Sequence, residues 1–252
     1  MQQNYQRFIA HRTLQVLRAM RPYTRVGQKK IRLGRFNDGG YVMIDDFTKA
    51  EAAYSFGIND DVSWDLDIAR RGIPVFQYDH TIDRLPTQHP LFHWEKKRIS
   101  GVADPATDVE SLETLIEKNG HQNAENLILK CDIEESEWLL LRQTPNKLVR
   151  KFKQIVIELH HMEYLKDDFY ADNVREAISN LTASHKVVHV HANNTASWLV
   201  LGGIPVPDVL ELTLLRDDGE EFVFSDEVFP TEIDMSCDPK KADLYLGRFV
   251  FG

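Results

Sequence analysis

The chain has 252 residues, 42% of them hydrophobic and 27% charged, and 30 Lys and Arg against 39 Asp and Glu give a formal net charge of −9. That balance suits a globular α/β protein with one buried core. It excludes a nucleic-acid platform, which needs a concentrated basic face, and no apolar run approaches the ~20 residues of a membrane span.

The two cysteines, Cys131 and Cys237, make no disulfide framework. The start of the chain has no apolar signal-peptide core, so a reduced, cytoplasmic protein is expected.

Residues 5–20 place Phe8, Ile9, Thr13, Val16, Leu17 and Met20 near one helical face, with Arg7, Arg12 and Arg18 elsewhere and Pro22 beyond the end. This predicts an amphipathic helix flanking the main body. Asp38-Gly39-Gly40 then separates two alternating apolar runs within residues 31–44, a strand-turn-strand signal. Arg32, Arg35, Asp38 and Tyr41 bring more polarity than a plain turn requires, so a carboxylate-binding corner is its rival reading.

Residues 54–80 form one unit: a buried strand closing at Gly57, a turn, a helix over 62–71, and a second strand over 74–78 that leads to Asp79. A strand, a glycine turn and a helix are how open α/β sheets grip a nucleoside, and an acid about 20 residues on is where a ribose hydroxyl is held. One glycine in place of GxGxxG disfavours the close approach of a pyrophosphate. Asp60 and Asp61 repel phosphates and suit a cation. S-adenosylmethionine, with its sulfonium and amino group, is such a nucleoside.

Further strands are expected over 93–101, 126–132, 154–160, 186–191, 209–216 and 221–224, and helices over 108–118, 134–143 and 167–183. Asp108 is expected to cap the first of these helices. Asp217-Asp218-Gly219 is the clearest hairpin signal in the chain. The pattern predicts an α/β fold, a doubly wound, mostly parallel seven-stranded Rossmann-like sheet with a C-terminal antiparallel hairpin and an N-terminal helical flank. One domain is expected, with a flank over 1–30, a core over 31–225 and an extension over 226–252.

Ligands in such sheets bind beyond the carboxyl ends of the strands. Gly57, Asp79, Asp104, Asp132, Glu158, His160 and His191 occupy or follow those ends. Glu158 and His160 project to one face, as do His189 and His191, so Asp132, Glu158, His160 and His191 are expected to ring one pocket.

Several segments together carry a family resemblance: Gly34-Arg-Phe-Asn-Asp-Gly-Gly-Tyr41, Tyr54-Ser-Phe-Gly-Ile58, Asp79, Lys130-Cys-Asp-Ile-Glu134, Glu158-Leu-His160 and His191-Ala-Asn-Asn194. In this order and spacing the chain resembles the FkbM-like class I S-adenosylmethionine-dependent methyltransferases, in a branch without the usual GxGxG loop. The resemblance implies that Ser55, Phe56, Gly57 and Ile58 cradle the methionine and ribose part, and that Asp79 binds the ribose. It implies further cofactor contacts from Arg35, Asp38, Gly40, Tyr41, Asp61 and His80, an adenine site at Val102 and Asp104, and Asp132 beside the methyl group. Family members methylate hydroxyls of sugars, glycolipids and natural products. Where the family usually has glycine after Asp-Ile-Glu, this chain has Glu135, which suits the position only if its φ is negative.

The expected activity is O-methyl transfer to a carbohydrate hydroxyl, on a small-molecule or glycan acceptor. A lipid or secondary-metabolite acceptor, or a non-catalytic nucleoside-binding scaffold, is the alternative. An alcohol needs activation, either by His160 as base or by Mg²⁺ or Mn²⁺ on Asp132, Glu158 and His160, with His191 a further candidate ligand. The oligomeric state is left open; a homo-oligomer is compatible with this reading.

Overall fold

Apolar strands that alternate with amphipathic helices bury themselves by lying side by side beneath those helices. The computed structural model describes residues 2–251. It opens with α1 (Gln2–Ala19), β1 (Tyr23–Arg25), β2 (Lys30–Leu33) and β3 (Tyr41–Ile44). The first half of the sheet follows as β4 (Ala52–Phe56), α2 (Ser63–Ala69), β5 (Val75–Tyr78) and β6 (Phe92–Glu95). Next come β7 (Arg98–Ser100), β8 (Val109–Ser111), α3 (Leu112–Lys118), β9 (Leu127–Cys131), α4 (Glu137–Gln143) and α5 (Asn146–Val149). The chain continues through β10 (Phe152–Leu159), a 3-10 turn (Met162–Lys166), α6 (Asp168–Thr182) and β11 (His185–Ala192). It ends with β12 (Trp198–Leu201), β13 (Ile204–Pro207), β14 (Leu210–Arg216) and β15 (Phe222–Phe224), followed by an irregular segment.

Seven strands form the main sheet in the order β6-β5-β4-β9-β10-β14-β11. All neighbours are parallel except β14, which runs antiparallel to both β10 and β11. The chain steps outward from β4 to β6 and then returns to β9, so a topological switch point lies between β4 and β9.

Strand alternation sorts the core into two layers. Tyr54, Phe56, Leu129, Ile155 and Ile157 face the larger cluster with residues of α1, α3, α4 and α6. Ala53, Ile128 and Val156 face the other way, toward Trp64 and Ile68 of α2 and Tyr41 and Met43 of the β2–β3 hairpin. Together with α2, the hairpin thus covers much of the face opposite α1, α3, α4 and α6. It is tied down where the Gln154 side chain bonds both the N–H and the C=O of Ile44, each at 3.0 Å.

The mostly parallel α/β sheet, its antiparallel C-terminal strands and the N-terminal helix agree with the sequence expectation. The differences are local. β14 and β15 do not pair with each other; β15 pairs with β1 instead. Both edges of β14 are already occupied by β10 and β11, which leaves no ladder for a hairpin partner. The expected strand over 93–101 breaks into β6 and β7, and β7 leaves the main sheet to pair with β8. Ser111, not Asp108, caps α3, accepting from the Thr114 N–H at 3.1 Å. On α1, Arg12 is buried against Asp168 at 2.7 Å, whereas Phe8 is exposed beneath the Arg12 guanidinium. Both cysteines are free and buried. Among the described residues no helix is long and apolar enough to cross a membrane.

Candidate functional site

At the switch point the chain after β4 must turn within one residue of the end of β9. Gly57 makes the turn at φ 77°, and a Cβ there would lie 1.5 Å from the Asp132 carbonyl oxygen. Only glycine tolerates both conditions. Above it opens a cleft of about 470 Å³, a volume suited to a small-molecule site.

The β2–β3 turn forms one wall. Arg35 reaches Asp60 at 3.9 Å and Asp61 at 3.6 Å, fastening that turn to the loop after Gly57, and Asp38 lines the cleft beside it. Asp79, His80 and Thr81 also line the cleft, together with Lys97, Arg98 and Ile99. Asp132, Glu134, Glu158 and His160 line the end near β9 and β10. Seven carboxylates line the cleft against Arg35, Lys97, Arg98, Lys130 and two histidines, an acidic excess that favours a cation, although burial beside Asp132 and Glu211 pushes the Glu158 carboxyl well up toward its neutral form.

Asp79 occupies the predicted place at the tip of β5, but its oxygens are already engaged. Oδ2 accepts from the Ile58 and Asn59 N–H groups, both at 2.8 Å, and Oδ1 accepts from the N–H and hydroxyl of Thr81, both at 2.6 Å. Burial would raise its pKa, but the bonds from Asn59, Thr81 and Ile58 outweigh that and hold it below the usual carboxylate value. These four bonds account for about the four lone-pair positions of a carboxylate.

His160 sits just past the end of β10, where three acidic side chains surround its Nε2: Glu134 at 3.5 Å, Glu158 at 3.8 Å and Asp132 at 4.0 Å. Its Nδ1 lies 3.1 Å from Oε1 of Glu137, a fully buried residue in the first turn of α4 that also accepts from the Ile133 N–H at 2.8 Å. Burial alone would lower the pKa of His160. The hydrogen bond and charge of Glu137, reinforced by Asp132 and Glu134, instead push it up to about 9.

No protein-family model matches the chain, and no curated protein matches it. Among solved structures, a crystal structure of methyltransferase CalO6 is similar at a TM-score of 0.28 and 12% identity, over 67% of this chain. The chain spans 58% of that protein. A likeness at that level assigns neither family nor activity.

Of the residues read from the sequence, Arg35, Asp38, Gly57, Ile58 and Asp61 line the cleft, as do Asp79, His80, Asp132, Glu158 and His160. Tyr41 stands behind the lining and donates to Asp132 Oδ2 at 3.2 Å. Gly40 is packed against Arg35 and Arg32, and Ser55 and Phe56 are fully buried within β4. Val102 and Asp104 lie outside the lining, because the break between β6 and β7 carries them into a separate turn. There the Asp104 carboxylate holds Ala106 and Thr107. His191 is also held away from the cleft, between Glu211 and Asp243. The possible cation ligands regroup: Asp132, Glu134 and His160 cluster together, while Glu158 clusters with Asp38 and Glu211.

Glu135 contradicts its expected geometry. Its φ is 77° and that of Glu134 is 49°, so two consecutive acids occupy the left-handed region. Such backbone costs about 1–3 kcal/mol per residue. Each is held by a side-chain contact: Glu134 faces His160, and Glu135 reaches His161 at 2.8 Å and the Tyr164 hydroxyl at 3.1 Å.

Sequence reasoning assigned no role to Glu137, Lys130 or Asn193, although the last two lie in segments that carry the resemblance. Lys130 donates to the Gly57 carbonyl at 2.5 Å, and Asn193 donates to Glu158 at 2.6 Å. A lysine inside an otherwise apolar strand was the available signal for the first of these contacts. Glu137 had none, since an acid opening a helix reads as ordinary dipole compensation.

Proposed function

We propose that this chain is an S-adenosylmethionine-dependent O-methyltransferase acting on a carbohydrate hydroxyl, such as that of a sugar nucleotide or cell-envelope glycan. The observation that carries this reading is the acid-lined cleft at the switch point, where His160 is buttressed from behind by Glu137. The cleft's charge fits a sulfonium and an amino group, and its volume fits a nucleoside-sized ligand. The loop after Gly57, Asp61 and the Asp79 region would hold the cofactor, with Asp132 toward its reactive end. Bound there, the cofactor supplies an activated methyl group.

The protein's share is alignment and proton removal. His160 Nε2 accepts the acceptor hydroxyl's proton while Glu137 steadies Nδ1. With a pKa of about 9 in the ligand-free chain, His160 must first release its own proton. A cation bound among the surrounding carboxylates favours that release, because it opposes the imidazolium charge.

A second route to the same reaction is a divalent ion, Mg²⁺ or Mn²⁺, on Asp132, Glu134 and His160, whose ligand atoms lie within 4.8 Å of one another. EDTA treatment with and without metal restored separates the routes: unchanged turnover leaves His160 as base.

The four bonds on Asp79 favour a rival other than the nucleoside-binding scaffold of the sequence reading, namely a scaffold that binds no nucleoside. In the catalytic reading the Thr81 hydroxyl rotates away and frees one acceptor position for a ribose hydroxyl. Calorimetry with S-adenosylmethionine and S-adenosylhomocysteine decides between them, since the enzyme binds both and the scaffold neither. A methyl-transfer screen over sugar nucleotides, glycans, lipids and aromatic metabolites then identifies the acceptor.

A further inference from the structure

Glu158, Glu211 and His191 stand side by side on one face of three adjacent strands. Glu211 on β14 is paired with Glu158 across the β10 ladder and with His191 across the β11 ladder. None of the three is more than 6% exposed. Like charges directly opposite in an antiparallel pair are destabilising, and more so out of water. Asn193 hydrogen-bonds Glu158 but brings no charge.

The segment after β15 closes over this row. Cys237, itself buried, donates its Sγ–H to Glu211 Oε1 at 3.3 Å. His191 Nδ1 lies 2.8 Å from Glu211 Oε2, and His191 Nε2 lies 3.1 Å from Asp243. The nitrogen, oxygen and sulfur of His191, Glu211 and Cys237 all fall within 4.8 Å of one another.

We propose that His191, Glu211 and Cys237 form a Zn²⁺ site that fastens the C-terminal segment to the sheet, with Asp243 orienting the imidazole. A mixed N, O and S donor set suits Zn²⁺ and disfavours Mg²⁺ or Ca²⁺. A zinc-binding histidine commonly gives its other N–H to a carboxylate, which is the place of Asp243.

Binding is redox-neutral. Cys237 loses its thiol proton and His191 the proton on Nδ1, both to water, and the freed lone pairs go to the metal. Because both ligands bind in their deprotonated forms, zinc binding releases protons and zinc affinity falls as the pH falls.

The test uses the full chain, independently of any methyl-transfer activity. Protein from a zinc-supplemented culture is analysed for metal, stripped, and reloaded with Co²⁺ as a spectroscopic probe. One equivalent of zinc and a thiolate-to-cobalt charge-transfer band are expected. Cys237→Ser should abolish the band, and Asp243→Asn, which leaves the ligands in place, should weaken zinc binding by about 10- to 100-fold. The band should survive His160→Gln, which excludes the Asp132, Glu134 and His160 group as its source. If Cys237→Ser fails to fold, Asp243→Asn alone decides: weakened binding supports the site and unchanged affinity overturns it. Absence of stoichiometric metal after both culture and reloading, or an unaltered cobalt spectrum in Cys237→Ser, also overturns the proposal.

Discussion

Glu137 Oε1 lies 3.1 Å from His160 Nδ1, and the carboxylate is wholly buried behind the imidazole. A buried charge in that position fixes both the ring's orientation and which nitrogen is presented to the cleft. Glu137→Gln keeps the shape and removes the charge. It is expected to lower kcat by about 10- to 100-fold, within the range of an acid–base contribution. The same variant should bring the pH inflection assigned to His160 down from about 9 toward its ordinary value, since Glu137 is the largest influence raising it. A purely structural role for Glu137 would reduce the amount of folded enzyme without moving that inflection.

His160 itself sets a pH profile for the metal-free enzyme. A base must be unprotonated, so kcat/KM should rise about tenfold per pH unit below the pKa and level off above about 9. The kcat profile should level off at lower pH, because bound cation weakens the hold of Asp132 and Glu134 on the imidazolium. Initial rates measured from pH 6 to 10 test this; a flat profile removes His160 as the base.

Gly57→Ala puts a methyl group where the Asp132 carbonyl oxygen already stands, and does so at a positive φ. Overpacking and left-handed strain together should cost about 3 kcal/mol. Denaturant unfolding would show a lowered midpoint with the slope unchanged. Calorimetry should show lost cofactor binding even in the fraction that folds, because the turn between β4 and β9 has to move apart. Binding that survives at the wild-type level would place the cofactor elsewhere.

The main sheet was legible because its central strands carry uninterrupted apolar stretches, Leu127 to Leu129 in β9 and Ile155 to Ile157 in β10, which only a sheet covered on both faces can bury. Their ends pointed to Gly57, Asp132, Glu158 and His160 for the same topological reason. Pairing partners were not legible. Asp217-Asp218-Gly219 is a local turn signal, whereas the occupation of both edges of β14 is a long-range fact. The left-handed backbone of Glu134 and Glu135 was hidden too, since it depends on contacts with His160, His161 and Tyr164 that lie distant in sequence. Glu211 and Thr213 alternate with leucines in β14, so two polar residues on a buried face were visible, but not what would meet them.

His185 gives a stability prediction that involves neither proposed site. It begins β11 with its Nε2 2.7 Å from the Phe152 carbonyl and its Nδ1 3.1 Å from the Ser184 hydroxyl. Burial pushes its pKa down to about 4, despite the bond to the Phe152 carbonyl, which works the other way. The unfolded chain, with histidine near its ordinary value of about 6.5, binds the proton first as the pH falls. Stability from this residue is therefore fully present above pH 6.5 and is lost progressively as the pH drops toward 4. The loss should amount to about 3 kcal/mol. His185→Gln retains a donor for the Phe152 carbonyl and cannot titrate. It should be less stable at neutral pH yet flatten that part of the acid slope, as read from urea midpoints at pH 7, 5.5 and 4. An unchanged slope would mean that His185 takes up its proton without unfolding the start of β11.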